Sequence, residues 1–255
     1  MKQMKIWSVV FALILATSTL NAETKRYEIK SGIIEYAISG GGNMMGIQTK
    51  IEGTSKAIFK EWGKVELHEE TTKSVIMGRE EHTRQTTKIV AGKVYIVDYE
   101  QKSIVQYDPS MLMQSEHKEL AKSAKEMMLA MGGTKTGEET IHNYDCEVWE
   151  AKHMKFWLHK GVMLKSQVRV MGRTHTTEAT NIQFNISVSD EDLKLPDFPV
   201  KTMEEHIQEN NGDTPSKMPQ MTPEQIQQIQ EMMILENLLD KLQDGRLHLN
   251  RIKVL

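Results

Sequence analysis

The residue types able to do chemistry are few and badly spaced for it. Cys146 is the only cysteine, so no intramolecular disulfide can form. It alternates with Tyr144 and Val148 on an apolar strand face, with no His, Asp or Asn at a spacing that suggests a dyad. A buried, packed thiol is the expectation. The 18 Met and 9 His include Met111-x-Met113, Met218-x-x-Met221 and His153-Met154, with His82 and His175 on strands. None matches a metal-ligand spacing such as His-Glu-x-x-His. The pairs Glu80-Glu81 and Glu138-Glu139 are adjacent, so on a strand their carboxylates point to opposite faces and are expected to be solvated. Gly40-Gly41-Gly42-Asn43 lacks the Lys-Ser/Thr ending of a phosphate loop and is expected to be a hairpin turn. No nucleophile motif such as Gly-x-Ser-x-Gly occurs. The chain is expected to act without catalysis, cofactor or resident metal.

The first 22 residues carry the sharpest signal. Lys2 and Lys5 precede the apolar run Ile6 to Leu15, and Thr17 to Ala22 is a small-residue exit. This is the pattern of a secretory signal peptide cleaved after Ala22, which implies a periplasmic or secreted protein with no stable transmembrane anchor; an uncleaved N-terminal anchor is the alternative. Losing Lys2 and Lys5 takes the net charge from −3 to −5. With 32 basic and 35 acidic residues interspersed, there is no clustered basic face for nucleic acid.

The segment 23–200 is expected to be one antiparallel β domain. Leu164, Ser166, Val168 and Val170 alternate with Lys165, Gln167 and Arg169, and Ile182, Phe184, Ile186 and Val188 alternate in the strand predicted over 174–188. Trp149 breaks the alternation of Tyr144, Cys146 and Val148, so that strand is expected to make apolar contacts on both faces. Further strands are predicted at 27–39, with a bulge at Gly32, and at 45–52, 82–90, 93–99 and 103–107. The links between them are too short for parallel crossovers, so the strands form a meander.

One helix is predicted at about 115–131, with an apolar stripe of Leu120, Ala124, Met127, Met128 and Met131, a Ser115 cap and a Gly132-Gly133 stop. The composition of 201–221 is that of a flexible linker. Thr222-Pro223-Glu224-Gln225 then opens an amphipathic helix to Asp244, followed by a short tail, so that 222–255 forms a C-terminal helix and tail. The expected fold class is therefore mainly β with flanking helices (α+β), a curved antiparallel sheet or unclosed barrel covered by one or two helices.

The spacing Gly137-x-Glu139-x-Ile141-x-x-Tyr144-x-Cys146-x-x-Trp149, an aromatic strand, a Gly turn, a long strand and Leu195-Pro196-x-Phe198 resemble a secreted bacterial domain of unknown function. That domain is similar to the lipoprotein-carrier superfamily of LolA, LolB and RseB. The resemblance covers roughly residues 27–200. It implies an unclosed antiparallel barrel covered by helices that holds acyl chains or lipoproteins between sheet and helices.

Two functional expectations follow, with a third beside them. The first is a non-enzymatic carrier of a lipid or other hydrophobic molecule, in which Trp62, Met127, Met128, Met131, Trp149 and Trp157 line the ligand. The second is an interaction or envelope scaffold module whose 222–244 helix docks on a protein partner. The third is a soft-metal (copper) binder.

Overall fold

The computed structural model describes residues 25–44, 47–107, 125, 128–129, 132–170, 172–202 and 205–206. The chain divides into two units, 1–206 and 207–255. The 222–244 helix and the 201–221 linker beyond His206 lie outside the described residues.

One sheet of 12 strands dominates. In chain order the strands are β1 (Gly32–Met44), β2 (Ile47–Lys60), β3 (Val65–Ile76), β4 (Arg79–Val90), β5 (Lys93–Asp98), β6 (Ser103–Tyr107), β7 (Thr134–Ile141), β8 (Tyr144–Ala151), β9 (Met154–His159), β10 (Val162–Val170), β11 (Arg173–Phe184) and β12 (Val200–Thr202). Their spatial order is β12-β6-β5-β4-β3-β2-β1-β11-β10-β9-β8-β7, an open curved sheet whose ends do not meet. Every pairing is antiparallel except β12 against β6. β12 occupies residues assigned from sequence to the linker, so the ordered β domain runs past residue 200.

The hairpin links explain the meander. Met77-Gly78, Ala91-Gly92, His142-Asn143 and Lys160-Gly161 all have positive φ at both residues. This is the turn geometry whose twist matches that of paired strands.

The Gly40-Gly41-Gly42 run is not a turn. It lies inside β1, paired on one side with β2 and on the other with β11. A Cβ at Gly40 or Gly42 would sit 2.6 Å from Thr174 O or 2.2 Å from Gly172 O, so these glycines admit a close backbone approach that a side chain would block. The bulge expected at Gly32 falls between Glu35 and Tyr36 on the pairing with β11. Gly32 instead opens β1, where a Cβ would meet the Phe59 and Phe184 rings at 2.8 and 2.9 Å. The strand predicted to reach residue 188 ends at Phe184, and Glu191–Leu193 form a 3-10 turn.

The main core lies on one face. Ile34, Tyr36, Ala57, Phe59, Cys146, Val148, Trp157, Leu164 and Ala179 pack with Tyr27 and Ile29 from the segment ahead of β1. Full burial of each large apolar side chain contributes about 1.5–3 kcal/mol. On the other face Ile58 and Leu67 pack on Leu193 of the 3-10 turn, with Val188 and Leu195 beside it. The expected covering helices are not confirmed. Lys125, Met128 and Leu129 are helical, and the rest of 115–131 is outside the described residues.

Candidate functional site

Met128 and Leu129, within the segment predicted as a helix at 115–131, lie just ahead of β7. Gly132 takes φ 75° and its N–H donates to Leu129 O, while Gly133 N–H donates to Met128 O at 2.7 Å. This glycine stop turns the chain directly into β7. Met128 is thereby pressed onto Trp149 and Ala151 of β8 and Phe156 and Leu158 of β9, at 2% exposure. Met154 and Met163 border the patch. Lys125 places its ammonium 5.3 Å from the centre of the Trp149 ring and 3.7 Å from Glu147 Oε2.

The Trp149 indole is locked by a hydrogen bond from Nε1 to Glu147 Oε2, 3.0 Å. Partial burial pushes the Glu147 carboxyl up, but hydrogen bonds from Trp149 and Lys135 and the charges of Lys125 and Lys135 outweigh it and hold it below its ordinary value. The patch therefore has a fixed aromatic floor and soft thioether walls.

The other tryptophans are elsewhere. In the β8–β9 pairing Val148 faces Trp157 and Trp149 faces Phe156, so the two tryptophans project from opposite faces of the hairpin. Trp157 belongs to the main core, with Nε1 donating to Glu139 Oε2 at 2.7 Å. Trp62 is not on a strand. It sits with φ 57° in the 3-10 turn Glu61–Gly63, with Lys25 Nζ 4.4 Å from its ring centre. Met128 and Trp149 are brought together; Trp157 and Trp62 are not. The side chains of Met127 and Met131 lie outside the described residues.

A polar network that sequence reasoning missed closes the same end of the sheet as Trp62. Arg26 Nη1 donates to Glu66 Oε2 at 3.0 Å and to Gly63 O at 3.2 Å, and Tyr27 OH donates to Glu66 Oε2 at 2.7 Å. Burial pushes the Tyr27 phenol well above its ordinary value. Glu66 is 2% exposed, so the pair is dehydrated and depends on these bonds. Its partners are about 40 positions apart in sequence, a separation no local pattern records.

Cys146 is 1% exposed and its Sγ donates to Tyr144 O, while burial raises its pKa to about 11. Among the described residues no three of His, Cys, Asp and Glu are grouped to hold a metal ion. A cavity of about 550 Å³ lies over β1–β4 between two cross-strand rows, Glu35–Lys56–Glu69 and Thr54–Thr71–Arg84. Its charged lining suits water better than an apolar molecule. No helix among the described residues is long and apolar enough to cross a membrane.

No protein-family model matches this chain, and no curated protein matches it. Solved structures do. An uncharacterized conserved protein from Thermus thermophilus aligns with TM-score 0.37 at 8% identity, over 78% of this chain and 99% of its own. A LolA superfamily protein from Nitrosomonas europaea gives 0.32 at 9%, over 72% and 96%. A putative outer membrane lipoprotein-sorting protein domain from Vibrio parahaemolyticus gives 0.28 at 11%, over 73% and 95%.

Proposed function

We propose that this chain is an exported, non-catalytic binding protein that holds a lipid or other apolar molecule against the β8–β9 face, beneath the segment carrying Met127, Met128 and Met131. The seating of Met128 on Trp149, Phe156 and Leu158 is the observation that carries this reading. A thioether side chain adapts to chains of variable length, and the aromatic floor supplies rigid contact area. The ligand enters by displacing Met128, so the site is filled by its own side chains when empty. Export rests on the leader pattern of residues 1–22.

The test is to purify the protein from its native host, extract it with organic solvent and identify co-purifying lipid by mass spectrometry, alongside uptake of a hydrophobic fluorescent dye. Bound lipid, or saturable dye uptake lost in Trp149→Ala, supports the proposal. Neither lipid nor dye uptake sinks it.

A further inference from the structure

The face that carries the Met128 patch continues beyond β9. Directly opposed residues on paired strands share a face, so the register follows it sideways. Phe156 pairs with Ser166, Ser166 with Thr177 and Thr177 with Ile38, one row across β9, β10, β11 and β1. The next row is Met154, Val168, His175 and Gly40. The third is Val170, Arg173, Gly42 and Thr49. Successive rows on one face lie about 7 Å apart. The face is apolar at Trp149, Phe156 and Met154, and it turns polar at Ser166, Thr177, His175 and Arg173. Gly40 and Gly42 bring no side chain to it, which leaves bare backbone beside His175 and Arg173.

Two polar atoms of this strip have nothing to bond. Ser166 is 0% exposed, and its Oγ has no hydrogen-bond partner. Arg173 is half-buried, and its Nε is shut away from solvent without a partner. No carboxylate among the described residues pairs with the Arg173 guanidinium. Between the two, Thr177 Oγ1 and His175 Nε2 lie 3.5 Å apart. Glu70, whose charge reaches His175, lies 3.8 Å from His68. Buried polar groups are normally bonded. A guanidinium offers donors alone, and a serine hydroxyl adds one more, so the pair calls for a partner rich in acceptors.

We infer that the ligand is an anionic amphiphile, with its tail on Trp149 and Phe156 and its acid head over the Val168–His175 pair, between Ser166 and Arg173. This rests on the apolar site proposed above and names the class of molecule that fills it. A carboxylate or phosphate accepts the paired N–H groups of the guanidinium and the serine O–H together. A neutral head uses fewer of these donors. A cationic head offers them no acceptor and is repelled by Arg173. The Val168–His175 row is about 7 Å from the Phe156 row, so one molecule covers both.

The experiment is calorimetric titration of the purified chain at pH 8 with decanoate, decyl phosphate, decanol and decyltrimethylammonium, each kept monomeric. At least one of the two acids should bind about tenfold or more tighter than decanol, and the ammonium should bind more weakly than decanol. The tighter acid identifies the head as carboxylate or phosphate. In Arg173→Gln the acids should fall to the affinity of decanol. Arg173→Lys should restore part of the preference, because it keeps the charge without the paired geometry. Ser166→Ala should weaken the acids about two- to fivefold. An unchanged thermal melt checks that each variant keeps the fold. Trp149→Ala should weaken all the probes alike, which separates the tail site from the head. Decanol bound as tightly as the acids, or a preference that survives Arg173→Gln, overturns the anionic head and leaves the apolar site standing. No binding of any probe by the parent chain overturns both.

Discussion

The two ends of the sheet are built on opposite principles. At one end the links Glu61–Gly63, Ala91-Gly92 and Lys160-Gly161 gather around a sealed core. The segment ahead of β1 hydrogen-bonds to it through Arg26 and Tyr27 N–H to Trp62 O and through Glu28 N–H to Lys160 O. At the other end lies the Met77-Gly78 link between β3 and β4. β4 shows the gradient within one strand, exposed through Arg79–His82 and buried at Thr86, Thr87 and Ile89. Stability is concentrated at the first end. Less at the second depends on packing.

The largest expected effect tests the sealed end. Glu66→Ala removes a buried carboxylate that both Arg26 and Tyr27 bond and should cost about 3–5 kcal/mol in urea unfolding. Thr72→Ala, nearer the open end on the same strand, should stay within about 0.5 kcal/mol. Similar losses at both positions would erase the contrast.

Trp149→Ala should cost about 3–5 kcal/mol through the cavity it opens under Met128, and should abolish uptake of an apolar ligand. Retained uptake would move the ligand site away from β8–β9. Gly63→Ala comes next. Gly63 has φ 82° and an added Cβ would lie 2.7 Å from the Tyr27 ring, so a loss of about 1–3 kcal/mol is expected in thermal melts.

The pH response is smaller. Burial pushes the His175 imidazole below its ordinary 6.5, against the opposing charge of Glu70. The unfolded chain then binds a proton at higher pH than the folded one. Stability should fall as pH drops from about 6.5 through the lower folded value, and His175→Gln should flatten that part of the curve. Smallest is the thiol effect. Cys146 should resist a thiol reagent at pH 8 in the folded protein and react fully in denaturant. Rapid labelling of the folded chain would mean that β8 is not sealed.

Much of the fold was legible because hairpins announce themselves locally. Alternation and Ala91-Gly92 or Lys160-Gly161 are short-range signals, and the Gly132 stop and the inward Cys146 needed only their own neighbours. Three features were not legible. Gly40–Gly42 has the composition of a turn, and only the two strands pressing on it show that close approach is what the glycines serve. Trp62 lies in a left-handed turn with no proline ahead of it. Arg26 and Glu66 meet across a separation no local pattern records. The candidate site was half legible. The stripe identified Met128 and the broken alternation identified Trp149, but deciding that Trp157 faces away from Trp149 required the two-residue link Lys152-His153 that sets the β8–β9 register.

The most direct test follows the methionine methyl and tryptophan indole signals by NMR while oleate is added below its micellar concentration. Saturable shifts of the Met128 methyl and the Trp149 indole, with the Met77 methyl unmoved, are the predicted result. Shifts confined to Met77, or none at any of the three, would contradict a ligand site on the β8–β9 face.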